Sequence, residues 1–382
     1  MKLRISNKKF FDYVSLLVMV GTIMYIWSPT RHVYYILVPI MSLLIFAKGG
    51  KSLFKNSYAV LILGTQAWIL CSDFLNRNVS KENIFGFLSV LSLMCLINYN
   101  LKRNDRFIWT MRNFFVGLSI IDIIWVLSDI LNGTYSNSDI GLLGHKNYHL
   151  CIYLIGLGFV FYCSSKEAKK NKLFISLYIF LLAIMVVLLR SSTSAIAAVV
   201  FAFLIFRICK KRRQMFNLYH VLIIDFLIFY FVIYKQYIGR LLTFILQKLG
   251  RDAGFTGRSD MWLAAFDKIR VMPFYGYGDN IKVIIQNSWN EPIANHVHNF
   301  ILHLIVSGGW IYLVLNTVIF LYAAHLLDIN RNYLNKILFC IIVMFLIIGQ
   351  TEILIGINNM LYPLLFMTSC KINSGVKYDN SI

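Results

Sequence analysis

Four short stretches of the chain combine residue types that do chemistry when a fold brings them together. Thr256-Gly257-Arg258-Ser259-Asp260-Met261-Trp262 sets an arginine just ahead of an expected helix, with Ser259 as its expected cap. A helix start offers unpaired N–H groups, and a guanidinium beside it adds a two-pronged donor, so the pair suits a phosphate. An isolated arginine in a solvated loop is the plainer reading, and the flanking pattern argues against it. Asn295-His296-Val297-His298-Asn299-Phe300 brings two imidazoles to the mouth of a long apolar run. A neutral imidazole there can serve as general base on a hydroxyl. In an extended chain His296 and His298 face opposite ways, so one of them faces a cavity. Arg190 precedes Ser191-Ser192-Thr193-Ser194 at a hairpin tip, either snorkelling to headgroups or holding a second anionic oxygen. Gly144-His145-Lys146-Asn147-Tyr148 opens another apolar run, and Lys146 is the one basic residue of its loop. No third ligand at zinc-like spacing accompanies the histidines, and the nearby carboxylates are dispersed, so no metal is expected.

The elements that must position these residues are membrane helices. The chain has 382 residues, 58% hydrophobic and only 14% charged, where a soluble domain has nearer a quarter charged. Apolar runs recur at 10–28, 33–47, 57–74, 83–98, 113–131, 148–164, 173–189, 193–207, 218–234, 298–325, 336–350 and 355–370. Each approaches the thickness of a bilayer core, where every backbone polar group must be satisfied within a helix. The expected fold is therefore all-α: a polytopic bundle of about twelve membrane spans forming one domain over residues 1–382. The net charge of +20 is explained by topology rather than by nucleic acid, which is not an expected partner. With both termini in the cytoplasm, 24 of the 37 Lys and Arg fall on inner segments, and eight of the remaining 13 lie in one long outer loop. The bilayer itself is the first expected partner, and the cytoplasmic membrane the expected location.

Residues 235–297 break the rhythm, being polar and far longer than a connector. The topology puts this loop outside the cytoplasm. Within it Met261, Trp262, Ala265, Phe266 and Ile269 share one face of a short helix over 259–271, which Pro273 ends. That face either lies on the membrane surface or packs on the bundle. The seven cysteines sit in or beside apolar runs with no CxxC pair and read as small apolar residues. Asp122 and Asp225 fall near the middle of their spans, and Glu352 near the outer end of its own; each needs a partner or a proton. Glu352 is either a neutral acid hydrogen-bonded between helices or the group that orients Arg258 or His298.

Taken in order, Gly-His-Lys-Asn before a helix, the Ser/Thr-rich tip, Thr-Gly-Arg-Ser-Asp-Met-Trp, Pro-x-x-Gly-x-Gly, and His-Asn opening a helix that runs on to Ser307-Gly308-Gly309 resemble the O-antigen ligase and polymerase superfamily. The likeness is best over 141–310. It implies a metal-independent, inverting glycosyltransferase that needs no cofactor and acts on an undecaprenyl-pyrophosphate-linked oligosaccharide outside the cytoplasmic membrane. By that likeness Arg258 holds the donor pyrophosphate and His298 deprotonates or orients the acceptor hydroxyl. Arg190, Lys146, His145, Asn299, Trp262 and Glu352 are the expected substrate-binding residues. One departure stands out: relatives often carry Ser-Arg-Thr/Ser at the tip, whereas Ser192-Thr193-Ser194 stands here, with Arg190 earlier. Abundant Ile, Phe, Tyr and Lys point to an AT-rich genome and incline the reading toward a capsule or exopolysaccharide polymerase, assisted by assembly and chain-length regulator proteins. A ligase is the alternative within the class, and a lipid-linked oligosaccharide flippase the alternative outside it, kept open by Asp122 and Asp225.

Overall fold

The computed structural model describes residues 40, 46, 50–101, 106–134, 142–143, 146–166, 172–189, 192–209, 217–237, 258–279, 297–352 and 355–370. The expected span at 10–28, and nearly all of that at 33–47, lie outside these residues. The described residues are helical with no strand among them. In chain order the helices are α1 (Ser57–Leu75), α2 (Lys81–Leu101), α3 (Arg106–Leu131), α4 (Lys146–Lys166), α5 (Lys172–Leu189), α6 (Ser192–Cys209) and α7 (Leu218–Ile228). There follow α8 (Arg258–Val271), α9 (Phe300–Ile329), α10 (Tyr333–Gly349) and α11 (Ile355–Met367). A π-helical turn, Phe229–Tyr234, extends α7.

Asparagine starts four of these helices. The side chains of Asn56, Asn217, Asn299 and Asn332 each accept a backbone N–H from the first turn of the helix they precede. Such caps are valuable in an apolar setting, where water does not serve the first-turn donors. Among the described residues, α1, α2 from Asn83, α3 from Phe107, and α9 are long and apolar enough to cross a membrane. Two of the shorter apolar helices sit deeper. α4 and α10 are buried along most of their length and pack on each other, with α5, α6, α3 and α11 around them. Large apolar side chains on α3 (Ile121, Ile124), α5 (Phe180, Val187), α6 (Val199, Phe203) and α7 (Ile223, Phe226) point outward. Helices that are apolar both outward and inward are what a lipid solvent requires.

α9 is broken. Gly309 takes φ +70°, and α9 bends there. The break releases carbonyls that a continuous helix would use itself. The Pro273–Gly278 loop replaces the lost bonds: Tyr277 N donates to Val306 O (2.9 Å), Gly278 N to Ser307 O (2.7 Å), and Trp310 N to Pro273 O (2.8 Å). From α1, the Trp68 indole donates to Gly308 O at 2.9 Å and Ser72 Oγ to Ser307 O at 3.0 Å. A Cβ at Gly309 would collide with the Phe274 carbonyl, and one at Gly276 with Ser307 O. The two glycine motifs thus interlock, and together they fix the first half of α9.

Candidate active site

Arg258 is already helical, as the first described residue of α8, and Ser259 lies inside the helix rather than capping it. Its apolar face packs on the bundle: Trp262, Ala265 and Ile269 join Phe229, Ile233, Val297, Leu302, Ile305 and Val306 in one small core. The choice between membrane surface and bundle is settled by this packing. The Trp262 indole donates to Val297 O at 3.1 Å, tying α8 to the residue before His298. His298 takes φ +49°, in the left-handed region where histidine is tolerated, and turns the chain into the Asn299 cap. Asn299 is buried; its oxygen accepts Leu302 N (2.8 Å) and its amide donates to Gln350 O (3.2 Å).

Glu352 draws these elements together. One carboxylate oxygen lies 2.9 Å from Arg258 Nη2, and the other 3.2 Å from His298 Nδ1. Glu352 is almost fully buried, whereas the Arg258 and His298 side chains keep 24% and 19% of their surface. A carboxylate held this way must be partnered to be tolerated, and both partners are its neighbours at the edge of the fold. A proton on Nδ1 shared with Glu352 leaves the lone pair of His298 on Nε2. Next to Glu352, Thr351 Oγ1 pairs with Thr193 Oγ1 at 2.9 Å, which brings the Ser/Thr-rich tip to the same place.

Arg190 and His145 lie outside the described residues. Lys146 is helical, the first described residue of α4, and its side chain also lies outside them. The two mid-span acids both have partners. Asp122 accepts Leu142 N (3.0 Å) and the Tyr153 hydroxyl (3.2 Å), and lies 2.6 Å from His149 Nδ1, with Asp122 and His149 fully enclosed. Asp225 Oδ1 accepts the Gln350 amide at 2.6 Å. His149 was not singled out from sequence, although its spacing of four from Tyr153 on α4 faces Asp122 with both. Also unanticipated was the polar end of α1, where Ser72, Asp73 and Asn76 grip the Pro273–Gly278 loop and the residue after it. At the loop itself Tyr277 donates its hydroxyl to Lys268 O, and burial, helped by Tyr275, holds that phenol above its usual range.

The fold and this cluster define a polytopic helical membrane protein with a guanidinium and an imidazole yoked through one buried carboxylate. Residues 177–317 match the family model described as O-Antigen ligase, which supports the likeness to the O-antigen ligase and polymerase superfamily. Members of that family are glycosyltransferase-like enzymes. No curated protein matches the chain. The matched stretch includes Arg190, Arg258, Trp262, His298 and Asn299 and stops well short of Glu352.

Proposed function

We propose that the chain is a repeat-unit polymerase. It takes a glycan from one undecaprenyl-pyrophosphate carrier and joins it to the sugar of a second carrier, at the outer face of the cytoplasmic membrane. The observation that carries this reading is the Glu352 bridge, which sets a phosphate-binding fork beside a base. In the reaction the acceptor hydroxyl attacks the anomeric carbon of the donor sugar. The bond from that carbon to the pyrophosphate oxygen breaks, with inversion. His298 Nε2 takes the hydroxyl proton, and Arg258 holds the charge that gathers on the departing pyrophosphate. The donor is already activated, so positioning, a base and positive charge at the leaving group suffice. Glu352 aims both groups, while Trp262 and Asn299 hold the His298 segment in place.

The frame for this chemistry is one membrane domain of about twelve spans, with both termini inside and residues 235–297 outside. Arg258 and His298 then stand on the outer side, where Arg190, Lys146 and His145 also fall and supply further contacts to the lipid-linked glycan. Chain-length regulators are the expected protein partners. A ligase is the second reading, favoured by the description of the matching family. A flippase is not favoured, because Asp122 and Asp225 are each engaged by neighbours rather than facing one another across a transport path.

The test is reconstitution. Protein in liposomes receives a lipid-pyrophosphate-linked repeat unit with EDTA present, and the products are resolved on a gel. A ladder spaced by one repeat establishes the metal-independent polymerase. Transfer only to a different added acceptor establishes the ligase. No transfer, with substrate crossing the membrane, refutes both.

A further inference from the structure

One turn into α9 lies another carboxylate–imidazole pair, which the reaction above does not use. Asp279 ends the loop that interlocks with the α9 break. Its amide donates to Asp73 Oδ1 at 2.7 Å, and the other Asp73 oxygen accepts Asn83 Nδ2 at 2.6 Å. α1 and α2 therefore fix the backbone of Asp279. Its own carboxylate turns instead to His303, with Oδ1 3.3 Å from Nε2, and keeps 29% of its side-chain surface. His303 is almost fully buried, and its Nδ1 has no hydrogen-bond partner among the described residues. A buried imidazole nitrogen left so is unfavourable in a resting fold and is the kind of feature that ligand sites retain.

We infer that Asp279 and His303 form a binding subsite for the hydroxyls of a neutral sugar, the acceptor residue of the reaction. The inference rests on the glycosyl-transfer reading. His303 Nε2–H donates to Asp279 and fixes the carboxylate, so His303 is a positioning residue. The exposed side of the Asp279 carboxylate then accepts hydroxyl donors. An acceptor-only surface favours polyols and repels phosphate, the reverse of Arg258. His298 lies on the same strand of chain, just ahead of the Asn299 cap, and His303 N donates to Asn299 O one turn in. The donor pyrophosphate and the acceptor sugar are thereby sorted by charge along the start of α9. A cation site fits less well, because both Asp73 oxygens already accept N–H donors.

The test is saturation-transfer NMR on the full-length protein in nanodiscs, with glucose, galactose and N-acetylglucosamine as neutral probes and glucuronate as the charged one. Wild type is expected to show signal from at least one neutral sugar and weaker signal from glucuronate. Asp279→Ala is expected to weaken the neutral-sugar signal about tenfold, the loss of one charge-assisted hydrogen bond. Asp279→Asn is expected to bring glucuronate level with the neutral sugars. His303→Gln keeps a donor at the Nε2 position and is expected to retain binding that His303→Ala loses. Inorganic pyrophosphate binding, read by ³¹P line broadening, is expected to persist in every one of these variants and serves as the check on folding. Neutral-sugar signal unchanged in Asp279→Ala, or absent from wild type, overturns the subsite. Sugar binding lost in Asp279→Ala with pyrophosphate binding kept supports it, whether or not wild type makes polymer; polymer formation tests the glycosyl-transfer reading alone.

Discussion

Asp122 and Glu352 each hold an imidazole, and they do so in opposite surroundings. Asp122 and His149 meet at 2.6 Å between α3 and α4, both wholly enclosed, with Tyr153 and Leu142 N completing the carboxylate. Glu352 meets His298 at 3.2 Å and Arg258 at 2.9 Å, and only the carboxylate is enclosed. In the first pair every bond is spent on the protein. In the second the carboxylate is the anchor, and its partners lie part in the fold and part outside it. Shared chemistry therefore does not mean shared role; exposure of the partner decides. The enclosed pair should govern stability, and the half-open one activity.

The sharpest way to break that contrast is to change His298 and Arg258. His298→Ala should lower polymer formation by about 10²- to 10⁴-fold, the range for a lost general base, with the protein still inserted in the membrane. Long polymer from that variant would move the base elsewhere, with His296 or Glu352 next to be tested. Arg258→Lys should cost about 10²- to 10³-fold, because a single ammonium does not replace a planar fork at a leaving pyrophosphate. Near-normal activity would remove Arg258 from the donor site.

The enclosed pair calls for the opposite outcome. Asp122→Asn leaves His149 buried without its anion and should destabilise the fold by about 3 kcal/mol. Thermal melting in detergent checks it, and activity per folded molecule should stay near wild type. If Asp122→Asn instead melts normally and is inactive, the contrast between the pairs fails and the transporter-like reading of a mid-span acid returns.

How much of this was legible in the sequence depends on the range over which each feature is encoded. The helical, membrane-embedded architecture was legible because apolar run length answers directly to a lipid solvent. The amphipathic face of α8 was legible because Trp262, Ala265 and Ile269 recur at helical spacing, and all three are buried. Glu352 was suspected because an acid in an apolar stretch needs a partner, and it has both of those named for it. The interlock of Pro273–Gly278 with Ser307–Gly309 was not legible. Its logic lies in hydrogen bonds between segments about thirty residues apart, and a glycine does not announce which carbonyl it must approach. Nor was His149, which looks like any polar residue on an apolar helix until Asp122 on α3 is set opposite it. Asp73 was hidden likewise, since its partners Asn83 and Asp279 come from a second helix and a distant loop.

Glu352→Gln sharpens the comparison more gently. The amide is isosteric and can still meet one partner, but it no longer carries the charge that Arg258 and His298 share. Activity should fall about ten- to a hundredfold, as for the loss of an orienting charge-assisted bond, with little change in melting. A variant that folds normally and works normally would reduce Glu352 to a spacer between helices.

The smallest expected effect is at Trp262. Its ring fills the small core under α8, and its indole N–H reaches Val297 O. Trp262→Phe keeps most of the apolar volume and deletes that one donor. The Val297 carbonyl is then left in a dry place, and the loss should be about 1 kcal/mol of stability. What matters is where the loss falls. Val297 precedes His298, which sits at a positive φ that the surrounding bonds must hold. Loosening the residue before it should let His298 drift from Glu352, so turnover should fall severalfold while donor binding through Arg258 is unchanged. A drop in melting temperature with turnover intact would mean that the Asn299 cap and Glu352 fix His298 without help from α8, and that the half-open site is more self-sufficient than its contacts suggest.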